Sequence, residues 1–458
     1  MRWRLWMWPQ PLCCGSIRNH NKFGCTQKKR GGGRVEEAWE YFAALCRRKT
    51  KSASNYGMVF LKWMVIAVCI GAVGGLVGSL FHLSVNAVTN LRTEYSWLLW
   101  LMPVGGLLIV FLYRATEMEG KGTNDIIHSI HFGEKVPLML TPVIFLATVI
   151  THIVGGSAGR EGAALQIGGS IGYQVGRLFR QDDHNIRVAT MCGMSAVFAA
   201  LFGTPLTAAV FALEVLTVGV FYYMAFIPCL VASLTAYGVS LLFHLPPTRF
   251  AILQAFDLSP VGVLQITALS VLCALVSIAF CVSMHKTERL LQRKLPNPYV
   301  RVLVGSAVLI ALTLLFGTDY NGAGTTTIFI AMGGVAVPWA WILKIVFTAI
   351  TIGCGFKGGE IIPSFFIGAT FGCFMGGLLG IPPSFGAAIG IVAVFCGAVN
   401  CPIASIILSV ELFGAGEMSY FAIACGVSYM LSGYYGIYQS QEIRYSKLKP
   451  EKIEIHAK

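Results

Sequence analysis

Glu161 is the residue hardest to explain as packing. It lies between Arg160 and Gly162 inside a long apolar stretch, where an ionisable side chain is costly and is usually kept for function. Two other glycine-rich breaks share that setting: Gly120-Lys121-Gly122-Thr123-Asn124 and Gly358-Gly359-Glu360-Ile361-Ile362-Pro363. Each break precedes an apolar run of helical character, so each can present free backbone N–H groups at a helix N-terminus. Those groups, with the helix dipole, attract anions without a full counter-charge. Binding of that kind suits an ion that must also leave. A carboxylate placed there can occupy the anion site itself, and protonation releases it. Glu161 is therefore a candidate gate and proton carrier. The competing readings are kinks and close packing for the glycines, and a structural salt bridge to Arg160 for Glu161.

Other polar residues are less pointed. Glu214 and Glu411 end short apolar runs, where capping neighbouring helices is the leading role and an inner-path role for Glu214 the second. Tyr434, Tyr435 and Tyr438 follow the last apolar run. A tyrosine hydroxyl is a good uncharged anion donor, and a tyrosine belt at the membrane interface is the alternative. His128, His131 and His152 lack metal-ligand spacing, and Cys13 and Cys14 lack zinc spacing, so no metal or organic cofactor is expected. The strand-to-helix context of a phosphate-binding loop is missing.

The elements that must position these residues are membrane helices. Of 458 residues, 55% are hydrophobic and 12% charged, about half the charged share of a soluble domain. Mean hydropathy is +0.69. Glycine, at 51 residues, allows helix backbones to approach closely in lipid. Spans are expected at about 57–87, 97–115, 138–179 (two helices broken at glycines), 188–216 (split near Gly203 to Pro205) and 219–243. In the second half they fall at 261–284, 300–317, 326–352, 361–377, 382–398, 401–411 and 417–433. Several are too short to cross the bilayer as straight helices. Short, glycine- or proline-broken membrane helices mark transporters with ion sites near the midplane.

The charge is +13 overall. Residues 1–51 hold twelve Lys or Arg against three Glu. Two further clusters are Lys286, Arg289, Arg293, Lys294 and Arg301, and Arg177, Arg180 and Arg187. Positive loops beside spans stay in the cytoplasm, so the N-terminus and these loops are read as cytoplasmic. A nucleic-acid role for the basic N-terminus is set aside because there is no folded module there. The expected organisation is a basic cytoplasmic segment at 1–54, partly disordered, a first transmembrane repeat at 55–243, a second at 258–446, and a short cytoplasmic tail at 447–458. The fourteen cysteines mostly sit in apolar runs and behave as small hydrophobes.

The halves echo one another. GTPLTAAVFALE at 203–214 resembles NCPIASIILSVE at 400–411, pairing Pro205 with Pro402 and Glu214 with Glu411. GREGAALQIGG at 159–169 resembles GGEIIPSFFIG at 358–368, pairing Glu161 with Glu360. The common order and spacing argue for duplication, and in transporters such halves are often inverted.

Taken together, these motifs resemble the CLC family of chloride channels and anion/proton antiporters over roughly residues 55–445. Gly159-Arg160-Glu161-Gly162-Ala163 looks like the family's GREGP element, with Ala163 in place of proline, and Glu161 then matches the external gating glutamate. Gly359-Glu360-Ile361-Ile362-Pro363 looks like GxFxP, with Ile361 in place of phenylalanine, and the amides of Glu360 and Ile361 match those lining the central anion site. Tyr438 matches the tyrosine whose hydroxyl faces the ion. The GSGIP element departs most: here Lys121 falls at the serine position and Asn124 at the proline position, and an offset leaves Thr123 or Asn124 near the inner path. Lys121, Gly122, Arg160 and Gly162 are carried as anion-binding candidates. A second departure is Val215, where many antiporters of the family have an internal proton-transfer glutamate; true channels and the fluoride/proton antiporter branch share that absence.

The resemblance implies an all-α integral membrane protein, an inverted repeat of about 18 helices, in a prokaryotic inner or plasma membrane. It implies a homodimer with one pathway per subunit, with lipid, chloride or fluoride, and protons as partners. No cytoplasmic CBS pair is expected, with twelve residues after 446. The expected function is transport of chloride or fluoride coupled to proton counter-transport. A passive chloride channel is the alternative. A membrane-embedded enzyme using Glu161, Glu360 and histidines, and a receptor without transport, are the readings from other classes.

Overall fold

A computed structural model describes residues 33–254 and 256–458, with side chains from Tyr56 onward. Residues 1–32, expected to be partly disordered, lie outside the described residues. The chain divides into two units, Met1–Phe60 and Leu61–Lys458. The described part of the first unit is the beginning of one long helix.

Sixteen α-helices, one 3-10 helix and three short strands occur among the described residues. The first half holds α1 (Gly33–Glu94), α2 (Met102–Ala115), α3 (Thr123–Phe132), α4 (Leu140–Ile153), α5 (Glu161–Leu178), α6 (Asp183–Phe202), α7 (Pro205–Glu214) and α8 (Tyr223–Leu242). The second half holds α9 (Pro260–Lys294), α10 (Pro298–Phe316), α11 (Thr325–Met332), α12 (Ala340–Cys354), α13 (Ile361–Leu378), α14 (Pro383–Val399), α15 (Pro402–Phe413) and α16 (Met418–Leu431). Among the described residues, seven helical stretches are long and apolar enough to cross a membrane. The chain is an integral, multi-pass membrane protein of all-α class.

Two boundaries differ from expectation. The single span at 326–352 is two helices, α11 and α12, because Gly333-Gly334 and Pro338 interrupt it. Gly334 takes a positive φ of 89°, which favours glycine and ends a helix. The span at 261–284 runs on to Lys294 as α9. The basic residues there prolong the helix because Lys and Arg are good helix formers and suit a C-terminal turn. The tail at 447–458 joins a small sheet. β3 (Lys452–His456) pairs antiparallel with β2 (Glu442–Tyr445), and β2 pairs parallel with β1 (Thr217–Val218), which follows α7. The tail thus closes a three-stranded sheet across both halves.

The inversion is visible in paired contacts. Glu214 at the end of α7 accepts the backbone N–H groups of Ile403 (3.1 Å) and Ala404 (2.8 Å), at the start of α15. Glu411 near the end of α15 accepts those of Leu206 (3.1 Å) and Thr207 (2.9 Å), at the start of α7. Two helices that each cap the other's N-terminus must run antiparallel. Both begin with proline at their first position, where the missing N–H costs nothing. Likewise Ser157 N–H donates to Thr351 Oγ1 (3.1 Å), and Lys357 N–H donates to Thr151 Oγ1 (3.2 Å).

The tightest packing is α5 on α6 and α13 on α14. Gly168 meets the backbone of Gly193, and Gly368 meets that of Gly390, so closely that a Cβ would strike a carbonyl oxygen. Small residues let membrane helices touch in this way. These two rigid pairs carry the helix starts that form the site.

Candidate functional site

The N-termini of α5 and α13 meet head to head. Gly159 N–H donates to Gly359 O (2.7 Å), and Gly359 N–H donates to Gly159 O (2.8 Å). A Cβ on Gly159 would collide with the Glu161 carboxylate, and one on Gly359 would lie 2.7 Å from Glu161 N. Glycine at both positions is a steric demand of the crossing.

This contact corrects the pairing of Glu161 with Glu360. Gly159 opposes Gly359, and α5 starts at Glu161 as α13 starts at Ile361. The structural partners are therefore Arg160 with Glu360, both N-caps, and Glu161 with Ile361. Aligning carboxylate on carboxylate slipped the register by one, because the cap position and not the charge defines the equivalence.

Glu161 is fully buried. Its Oε2 accepts N–H groups from Arg160 (3.0 Å) and Ile362 (3.3 Å). Its Oε1 is buried with no partner. The carboxylate therefore sits on amides at the starts of both helices, as an anion would. The second-half amide that reaches it belongs to Ile362, next to the Glu360 and Ile361 amides expected at the central anion site. Ile361 is buried, and Glu360 is half-buried. The Glu360 carboxylate faces Gly162: a Cβ on Gly162 would lie 3.4 Å from Glu360 Oε2. Two carboxylates thus flank one glycine turn.

Arg160 does not pair with Glu161 through its guanidinium. Its Nη1 donates to Asn86 Oδ1 on α1 (2.9 Å) instead. Tyr438 is buried, and its hydroxyl has no partner among the described residues. A buried unpaired hydroxyl costs about 1–3 kcal/mol, which a bound anion would recover. Tyr434, by contrast, pairs its hydroxyl with Ser446 Oγ (2.9 Å).

The Gly120–Asn124 segment is placed differently from its neighbours in the site. The Lys121 ammonium reaches Asp125 Oδ1 (3.2 Å), and Gly122 N–H donates to Asp125 Oδ2 (2.8 Å). Asp125 therefore uses both groups to cap α3. Thr123 Oγ1 donates to Gly162 O (3.2 Å), tying α3 to the Glu161 turn. Asn124 Oδ1 accepts Ser440 N–H (3.1 Å), tying α3 to the Tyr438 loop. Glu214 caps α15 as described above, with both carboxylate oxygens engaged there.

Sequence reasoning missed several supports. Gln166 donates from Nε2 to Thr123 Oγ1 (3.2 Å), and its Oε1 is buried without a partner. An amide inside an apolar, glycine-rich helix was the available signal. The Tyr438 loop is held by Gln441, whose Nε2 donates to Val215 O and Val399 O (3.0 Å each). Asn400 donates from Nδ2 to Tyr435 O (3.1 Å) and Gln441 Oε1 (2.9 Å). Lys447 donates to Asn400 Oδ1 (2.6 Å). No spacing rule foretells this cluster, because it assembles from three distant segments.

Known proteins place the chain. Residues 105–433 match the family described as voltage gated chloride channel. A chloride/fluoride channel protein of Pseudomonas syringae is 36% identical over 406 residues, covering 86% of this chain and 90% of that one. An H(+)/Cl(-) exchange transporter, ClcA, of Vibrio campbellii is 26% identical, covering 76% and 81%. A solved CLC-type fluoride/proton antiporter superposes with a TM-score of 0.81 at 32% identity, covering 84% of this chain and 98% of that chain. A slow cyanobacterial Cl-/H+ antiporter shares the fold at a TM-score of 0.70 and 20% identity. By motif, fold and extent of match, the chain belongs to the CLC family of voltage gated chloride channels and their antiporter relatives.

Proposed function

We propose that this protein exchanges a small halide, fluoride ahead of chloride, for protons across a bacterial-type inner or plasma membrane. The observation that carries the reading is Glu161, whose carboxylate rests on amide N–H groups of α5 and α13 as an anion would. An arriving anion and the carboxylate compete for the same donors. A carboxylate displaced from them takes up a proton and can deliver it on the other side. Glu360, across Gly162, supplies a second protonatable group beside the same turn, and Val215 stands where many antiporters of the family carry an internal glutamate. Tyr438 offers its free hydroxyl to the ion. The higher identity to the fluoride-named relatives favours fluoride.

The protein acts as a homodimer with one pathway per subunit, and the basic N-terminal segment and the α9–α10 loop face the cytoplasm. Transport, rather than covalent chemistry, is the activity. The test uses purified protein in vesicles loaded with KF or KCl. Valinomycin is added, and anion efflux and external pH are recorded together. Fluoride efflux with stoichiometric proton counter-movement is the expected result. Chloride efflux without proton movement would make the protein a passive channel.

A further inference from the structure

A second set of donors without acceptors lies apart from the Glu161 site. A cavity of about 250 Å³ is bounded by the end of α2 (Ile109, Val110, Tyr113), the start of α10 (Pro298, Arg301) and the loop before α13 (Gly355, Lys357). Tyr113 is only 4% exposed, and its hydroxyl is buried with no hydrogen-bond partner. The Nε of Arg301 is buried and likewise unpartnered, and its Nη1 makes one long bond, 3.4 Å, to Leu295 O. The Lys357 ammonium lies over the Tyr113 ring, 4.5 Å from its centroid. It makes no ion pair among the described residues, and the carboxylates of Glu288, Asp125 and Glu360 act on it only from a distance. The one acid on the cavity wall, Glu119, turns to Arg114 instead (3.8 Å).

An ammonium, a guanidinium and a phenolic hydroxyl therefore share one cavity, and among the described residues only the guanidinium has a protein acceptor, the distant Leu295 carbonyl. Two cations that only donate, beside a phenolic hydroxyl free to donate, call for an anion in a partly desolvated space. The volume admits a halide with several waters, at roughly 30 Å³ per water. The cavity lies beside the basic loop read as cytoplasmic, and its wall includes Gly120, next to Lys121. Lys357 is three residues before Glu360 in the same loop.

We propose that this cavity is an anion-capture site, where Tyr113, Arg301 and Lys357 take a small halide from the cytoplasmic side before it enters the pathway. The inference rests on the transport reading above and adds a place where the ion first loses water. Capture raises the local anion concentration at one mouth only, so its signature is sided.

The experiment compares inside-out and right-side-out membrane vesicles carrying the full chain, with fluoride and chloride as the probes. Tyr113→Phe removes only the hydroxyl, and Lys357→Gln removes the charge. Both are expected to raise the KM for halide offered from the cytoplasmic side by about 3- to 10-fold, one hydrogen bond's worth. KM from the opposite side and the maximal rate stay unchanged, and Lys357→Arg restores most of the loss. The proposal is overturned if both variants keep the wild-type KM from both sides. A rise in Tm of Tyr113→Phe alongside unchanged KM would reveal the hydroxyl as an unpaired group with no ligand. Wild-type vesicles that move neither halide would sink the transport reading itself, whereas normal flux with no sided effect sinks only the capture site.

Discussion

Replacing Glu161 by alanine should free a site that the protein otherwise fills with its own side chain. Glu161 Oε2 holds two amide N–H groups, from Arg160 at 3.0 Å and Ile362 at 3.3 Å. Hydrogen bonds to a charged group are worth about 1.5–3 kcal/mol each. The second is long, so the lower figure applies, and the pair sums to about 3 kcal/mol. A halide must displace that much to reach the amides. Removing the carboxylate should therefore tighten halide binding by up to about 100-fold. Glu161→Gln keeps a neutral carbonyl acceptor, at about 1 kcal/mol per bond, and should fall between the two. Both variants should lose proton counter-movement, because neither carries a proton at position 161. Titration calorimetry of fluoride and chloride in detergent measures the first effect, and pH recording during vesicle efflux measures the second. Glu161→Ala with wild-type affinity and wild-type proton coupling would refute the reasoning, since the carboxylate would then neither compete with the ion nor carry the proton.

Glu214→Ala should lower thermal stability by about 2–3 kcal/mol, since two N–H groups at the start of α15, one of them on buried Ala404, lose a carboxylate cap. Halide affinity should be untouched; a changed affinity with unchanged Tm would put Glu214 in the ion path instead. Lys121→Ser should leave the halide dissociation constant within about twofold and cost at most about 0.5 kcal/mol, because the ammonium serves a half-exposed pair with Asp125 one turn along α3. A weakened affinity would move Lys121 into the pathway. Burial pushes the Lys447 ammonium, beyond the last helix, down to about 8 from its ordinary 10.5. Between those values the unfolded chain binds more protons than the folded one, so stability rises with pH across that window. The stabilising slope between pH 8 and 10 should be absent in Lys447→Met, as read by Tm against pH; an identical slope in both proteins would place the titration elsewhere.

The local signals were strong where membrane chemistry constrains single positions. The glycines before Glu161 and Ile361 mark helix N-termini, and Glu161 marks a functional position, because a buried carboxylate has few other uses in lipid. The duplicated Pro205–Glu214 and Pro402–Glu411 segments were equally plain. Glu214 and Glu411 then proved to be reciprocal caps. Their ambiguity in sequence was real, because a carboxylate at a helix end looks the same whether it caps a neighbour or lines a path. Lys121 is the converse case. Motif position put it by the ion, whereas Asp125, four residues along, claims both its ammonium and the Gly122 amide.

By itself the sequence determined the solvent, the element type and the class of ligand. An apolar chain with twelve per cent charged residues must satisfy its backbone within helices once in lipid. Glycine breaks before apolar runs fix where helix N-termini fall, and those termini favour anions. Tertiary structure decided which groups share a site. Only the head-to-head meeting of α5 and α13 chose Ile362 as the second donor to Glu161 and set the register at Arg160 with Glu360. Only the return of the tail through β2 and β3 fixed the Tyr438 loop against Val215 and Val399. Only the convergence of α2, α10 and the loop before α13 gathered Tyr113, Arg301 and Lys357. The physical reason is common to all three. Local propensity reads a few residues along the chain, whereas a donor without an acceptor is defined by every segment packed around it.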